Sequence, residues 1–183
     1  MTEAIHVLGI AGSLREKSWN KGLLRAASGM LPDGMTLEAF DLAPIPLFNE
    51  DVEAQGYPEP VEQFCAKIKA ADALLIATPE YIYSVPGVLK NAIDWASRHP
   101  DKVFYGKPAA VIGAGGRLGT ARAQNHLRYI AVTLNLMLIN KPELFIMRAW
   151  EKVDGEGNLV DDESLQTLRN VLVALGEYTR KLR

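Results

Sequence analysis

Three short stretches of this chain hold residue types from which a binding chemistry can be built. The first is Gly12-Ser13-Leu14-Arg15-Glu16-Lys17-Ser18-Trp19-Asn20, lying between an apolar run and a helical stripe. Ser13, Ser18 and Asn20 are neutral donors, and Arg15 adds a fixed positive charge with a forked donor geometry. A helix start at this point presents unpaired backbone N–H groups as well. That set suits a monophosphate. Gly12 has no partner glycines for a dinucleotide Gly-x-Gly-x-x-Gly pattern, and no Gly-Lys-Ser or Gly-Lys-Thr closes a triphosphate loop. Ser18 or Asn20 also suits the N-cap of the helix, and solvation is the alternative fate of a lone Arg15.

The second stretch is Thr78-Pro79-Glu80-Tyr81-Ile82-Tyr83-Ser84-Val85-Pro86-Gly87. Two prolines stiffen it, and two tyrosines crowd an edge where turns are normally small and polar. A rigid, partly aromatic wall suits a flat heteroaromatic ring. Packing of Tyr81 and Tyr83 over the core rim, or at a subunit contact, is the alternative. The third stretch, Gly113-Ala114-Gly115-Gly116-Arg117-Leu118-Gly119-Thr120, has four glycines that let a ligand approach the backbone closely. Arg117 there would pair with an anionic substrate or a dinucleotide phosphate, or lie in solvent. Any one of these loops would serve as an ordinary strand-to-helix turn. Three in one chain point to a ligand.

Other chemistries find no support. No Gly-x-Ser-x-Gly nucleophile elbow is present. His6 lies inside a strand-like run, while His99 and His126 sit in or near helices without metal-ligand spacing, so all three read as structural. Cys65 falls on the apolar stripe of a helix and reads as a core residue.

The elements that must carry these loops show in the hydrophobic periods. Ile5 to Ile10, Met35 to Phe40, Ala73 to Ala77 and Ala109 to Ile112 read as strands. Leu136 to Ile139, continued by Leu144 to Met147, reads as a fifth strand that Pro142 interrupts. Helical stripes lie between them, such as Leu23, Leu24, Ala27, Met30 and Leu31, or Val88, Leu89, Ala92, Ile93 and Ala96. A Pro-rich loop runs from Ala43 to about Pro60, and a last helix carries Leu165, Leu168, Leu172, Leu175 and Leu182. Strand-then-helix alternation argues for an α/β fold with a parallel sheet and helices on both faces. Ligands of such sheets bind beyond the carboxyl ends of the strands, where the strand order reverses.

Composition bounds the reading. The 183 residues fit one domain, 1–183, and 48% apolar with 23% charged residues is the mix of a globular core. With 20 Lys plus Arg against 22 Asp plus Glu, the net charge of −2 excludes a general nucleic-acid binder. One cysteine excludes an internal disulfide framework, and no apolar run is long enough to span a membrane. No secretory signal is visible, so a cytoplasmic protein is expected.

Gly9-Ile10-Ala11-Gly12-Ser13-Leu14-Arg15 with Ser18-x-Asn20, and Thr78-Pro79-Glu80-Tyr81 with Ser84-Val85-Pro86-Gly87-Val88-Leu89-Lys90-Asn91-Ala92-Ile93-Asp94-Trp95, closely resemble the NAD(P)H-dependent FMN reductase family, in particular its quinone and chromate reductase type. Arg122-x-Gln124-x-x-Leu127-Arg128 and Asn140-Lys141-Pro142-Glu143 continue the match over nearly the whole chain. The resemblance implies a flavodoxin-like three-layer sandwich around a five-stranded parallel sheet of order 2-1-3-4-5. FMN would lie at the ends of the first, third and fourth strands. It assigns Ser13, Arg15, Ser18 and Asn20 to the FMN phosphate, with Trp19 as a further cofactor-binding residue. Pro79, Glu80, Tyr81 and Ile82 would border the isoalloxazine, and Gly115 and Gly116 would close its other side. Tyr83 and Arg117 are the substrate-binding candidates. Two departures stand out: Ile82 replaces the usual Asn after Pro-Glu-Tyr, and Ala114-Gly115-Gly116 replaces a loop that often carries Ser.

No protein side chain need do acid–base work, because the flavin carries the redox chemistry. The implied reaction passes a hydride from NADPH or NADH to FMN and then reduces a quinone, an azo compound or a metal oxyanion such as chromate. A flavodoxin-like electron carrier is a rival reading, although a net charge of −2 is weak for the acidic docking face such carriers use. A flavin-free binding module is another. The resemblance also implies a homodimer or homotetramer, with Tyr83, Trp95 or Trp150 as contact residues.

Overall fold

Successive residues of the central strands point into two different cores, and this alternation sets the architecture. A computed structural model describes residues 4–183. In chain order it contains β1 (Ile5–Ala11), α1 (Trp19–Ser28), β2 (Met35–Phe40), α2 (Glu50–Glu53), α3 (Glu59–Ala70), β3 (Ala73–Ala77), α4 (Gly87–Arg98), β4 (Pro108–Ala114), α5 (Ala121–Leu134), β5 (Met137–Leu138), β6 (Leu144–Ile146) and α6 (Asp162–Leu182). Leu8 and Ile10 of β1, Leu74 and Ile76 of β3, and Ala109 and Val111 of β4 join one apolar cluster with Phe64, Ile68, Leu89, Ile93 and Leu127 of α3, α4 and α5. Val7, Leu75 and Ile112 face the other way, against Leu23, Leu24, Leu168, Leu172 and Leu175 of α1 and α6. Strands covered on both faces must be apolar at every position, which is why they read as continuous runs.

The sheet is parallel with order β2-β1-β3-β4-β5. The chain steps outward from β1 to β2 and then crosses back past β1 to β3, so the order reverses between β1 and β3. The fifth position is split. β5 pairs with Pro108 and Ala109 at the start of β4, and β6 pairs with Ile112 to Ala114 at its end, on either side of Pro142. A proline has no N–H to give a ladder, so the interruption falls where the sequence places it.

Two features differ from the expectation. The Pro-rich loop contains a short helix, α2, whose N-cap is the Asn49 side chain accepting from the Asp51 N–H at 2.8 Å. Trp95 is no contact residue. It is fully buried, and its Nε1 donates to the Pro46 carbonyl at 2.9 Å while Asn91 holds Pro46 and Phe48 beside it. This stitches the Pro-rich loop onto α4.

No helix among the described residues is long and apolar enough to cross a membrane. Cys65 lies in the core as expected, and burial, aided by the Glu62 and Asp101 carboxylates, pushes its thiol up to about 12. The folded protein is therefore expected to leave an aromatic disulfide reagent unreacted at pH 8, with one thiol titrating on denaturation; a fast native reaction would contradict this burial.

Candidate active site

The three glycine- and serine-bearing loops follow β1, β3 and β4, three adjacent strands, and their carboxyl ends meet in one cavity of about 390 Å³. Ser13, Arg15, Ser18, Trp19, Asn20, Pro79, Glu80, Tyr81, Ala114, Gly115 and Gly116 line it. A second concavity of about 470 Å³ lies between α1 and the β2 edge, lined by Lys21, Leu24, Arg25, Leu37 and Asp41, and holds none of these loops' chemistry.

At one end of the cavity the donors are uncommitted. Ser18 caps α1, but its Oγ accepts, from the N–H groups of Asn20 at 3.3 Å and Lys21 at 3.5 Å, so its hydroxyl proton remains free to donate. Ser13 is only 4% exposed and finds no side-chain partner among the described residues. The Arg15 guanidinium lies 5.5 Å from the Trp19 ring centroid and meets no carboxylate among the described residues. The first turn of α1 carries no acidic residue. Unpaired donors beside a positive helix end make an anion site.

Asn20 plays a different part. Its Nδ2 donates to the Ala114 carbonyl at 3.0 Å and its Oδ1 accepts the Ala114 N–H at 3.0 Å. The amide ties α1 to the end of β4 with one donor and one acceptor. A second tie comes from the turn at Asp154–Asn158, which approaches α1 so closely that a Cβ on Gly22 would sit 1.9 Å from the Gly157 carbonyl oxygen. Only glycine fits there.

Glu80 is likewise engaged. Its carboxylate accepts the N–H groups of Arg122 at 2.9 Å and Ala123 at 3.2 Å, at the start of α5, and pairs with Arg122 Nη1 at 3.0 Å. The same guanidinium stacks 3.9 Å from the Tyr83 ring centroid. Ser84 Oγ meets His126 Nδ1 at 2.9 Å, one helical turn further along α5. Arg122 and His126 thus clamp the second loop. Nothing in their spacing reveals it, since Glu80 and Arg122 are 42 residues apart, although Arg122 belongs to a quoted family motif.

Ile82, Tyr83 and Arg117 do not line the cavity. Ile82 and Tyr83 form the tip of a two-residue turn between Tyr81 and Ser84, and Arg117 and Leu118 form another between Gly116 and Gly119. Both turns rise directly from the cavity wall. No cluster of potential metal ligands occurs among the described residues.

An open parallel sheet with a donor-bearing loop and an aromatic-edged wall at its switch point is a flavodoxin-like arrangement. The chain belongs to the NADPH-dependent FMN reductase family, whose sequence profile matches residues 5–151. It is 53% identical over 184 residues to the NAD(P)H-dependent FMN reductase of Pseudomonas aeruginosa, covering 100% of both chains. It is 41% identical over 187 residues to a quinone reductase of Escherichia coli K12, again over 100% of both. Among solved structures, the flavoenzyme NAD(P)H:(acceptor) oxidoreductase FerB of Paracoccus denitrificans is similar with a TM-score of 0.85 at 31% identity, over 97% of this chain and 98% of that one. FMN is the cofactor and NAD(P)H the reductant.

Asn20→Ala strips both buried backbone groups of Ala114 of their partner. We expect a loss of about 2–4 kcal/mol in urea unfolding. A change within about 0.5 kcal/mol would show that the tie is dispensable.

Proposed function

We propose that the cavity binds FMN with its phosphate at the Ser13–Ser18 end and its ring against Pro79, Glu80, Tyr81 and the Gly115-Gly116 backbone. The enzyme then passes electrons from NAD(P)H to a quinone. Azo compounds and metal oxyanions such as chromate are the further acceptors. The observation carrying this reading is the convergence of donors that find no acceptor among the described residues, Ser13, Arg15 and the Ser18 hydroxyl, at the N-terminus of α1. The donor set fits a phosphate dianion, and the cavity falls in the size range of cofactor sites, roughly 300–1,000 Å³.

Bound FMN supplies the two-electron chemistry that links a nicotinamide donor to the acceptor. The chain's own residues bind and orient. Arg15 and the serine hydroxyls neutralise and hydrogen-bond the phosphate. Asn20 keeps the donor loop in register with β4. Glu80 keeps the Pro79–Tyr81 wall rigid by capping α5 rather than by touching the reacting atoms. The Gly115-Gly116 segment brings backbone, not side chains, to the ring. A cytoplasmic setting fits a chain with one reduced thiol and a need for pyridine nucleotide.

We further propose that copies of the chain associate, since Tyr129 and Val132 place exposed apolar surface side by side on α5 and Trp150 is half exposed. Light scattering should give a dimer or tetramer; a 20.1 kDa species alone would dispose of this.

The purified protein is expected to be yellow, with flavin absorbance bands, and to oxidise NADH or NADPH in the presence of a quinone without any partner protein. Arg15→Ala should weaken FMN binding about 10- to 100-fold. Protein that binds no FMN, or that turns over only with a protein partner, would overturn the reading.

A further inference from the structure

The tip of the second loop is built against its own backbone preference. Ile82 and Tyr83 have φ of 46° and 61°, and Tyr81 and Ser84 exchange N–H···O bonds of 3.1 and 3.0 Å. This is the two-residue hairpin turn that favours Asn-Gly, because both central residues must be left-handed. A β-branched residue is the least suited to that region, its Cβ crowding the backbone. Strain of this kind persists only where the surroundings over-determine it. Three ties do so here: Glu80 on the start of α5, Tyr83 under the Arg122 guanidinium, and Ser84 on His126. None uses the Ile82 side chain, which is 97% exposed. Its branched Cβ therefore adds strain to the turn while its side chain adds no packing to the fold.

Location supplies the missing reason. Tyr81, the residue before it, lines the FMN cavity, as does Gly116, which opens the turn bearing the half-exposed Leu118. We propose that Ile82 is a specificity-determining residue: it gives the cavity mouth an apolar edge that favours flat, apolar acceptors such as fused-ring or alkylated quinones over small hydrophilic ones. Asn at this position would relax the backbone and remove that edge. The inference rests on the FMN-dependent quinone reduction proposed above.

The test compares Ile82→Asn and Ile82→Leu with the parent holoenzyme, using 2-methyl-1,4-naphthoquinone and ferricyanide as acceptors. Ile82→Asn should lower the ratio of kcat/KM for the quinone over that for ferricyanide about three- to tenfold, carried by KM for the quinone. Its thermal midpoint should rise, because Asn tolerates the left-handed region. Ile82→Leu keeps the apolar edge and should hold the ratio within about twofold of the parent. FMN content per chain and assembly mass should match the parent in both. If Ile82→Asn retains the parent's ratio, or changes it together with the assembly mass, Ile82 does not select the acceptor and the inference is overturned, while a parent that binds FMN and reduces quinones leaves the functional reading intact. A parent that binds no FMN overturns both.

Discussion

The pair of hydrogen bonds between the Asn20 side chain and the Ala114 backbone holds the site together. These residues are 94 positions apart, one in the first turn of α1 and the other at the last residue of β4. An amide matches a peptide group donor for acceptor, so the pair satisfies two buried backbone groups in the one geometry that brings the loops into contact. The donor loop of Ser13 to Ser18 hangs from α1, and the Gly115-Gly116 backbone continues directly from Ala114. Separating them would open the cavity between the Ser13–Ser18 loop and the Gly115-Gly116 backbone.

Around that tie the protein spends its charged side chains on rigidity rather than on chemistry. Glu80 faces the cavity, yet both of its carboxylate oxygens are engaged by α5 and Arg122. Arg122 in turn stacks on Tyr83, and His126 meets Ser84. The groups left without a hydrogen-bonding side-chain partner among the described residues, Ser13 and Arg15, collect at the helix end that already favours an anion. A flavin reductase needs this division. The cofactor carries the redox chemistry, and the protein must hold a phosphate firmly while keeping a flat ring accessible to two successive small molecules.

Much of this was legible in order along the chain. The doubly buried strands β1, β3 and β4 read as apolar runs, the loop chemistry followed them, and the interruption at Pro142 separated β5 from β6 as a residue without an N–H must. Ser18 was legible as a cap, and eleven residues of the loops do share one cavity. What escaped depends on distance in sequence. The bond of Asn20 to Ala114 is invisible along the chain, and Trp95 reads as surface until the Pro-rich loop folds over it. His126 reads as structural along the chain, and its partner, Ser84, lies in the second loop.

The sequence by itself determined which faces are apolar, where strands must end and which residue types stand at those ends, because side-chain period and turn chemistry are local properties. Through a family motif it also determined the cofactor. The tertiary structure decided which of those polar groups remain free, since a donor's availability depends on partners brought from elsewhere in the chain. It also turned Ile82 from a substituted position in a motif into a fully exposed, left-handed residue at the cavity mouth. That conformation is imposed by contacts of its neighbours with a helix 40 residues on, which no local preference of Ile could produce.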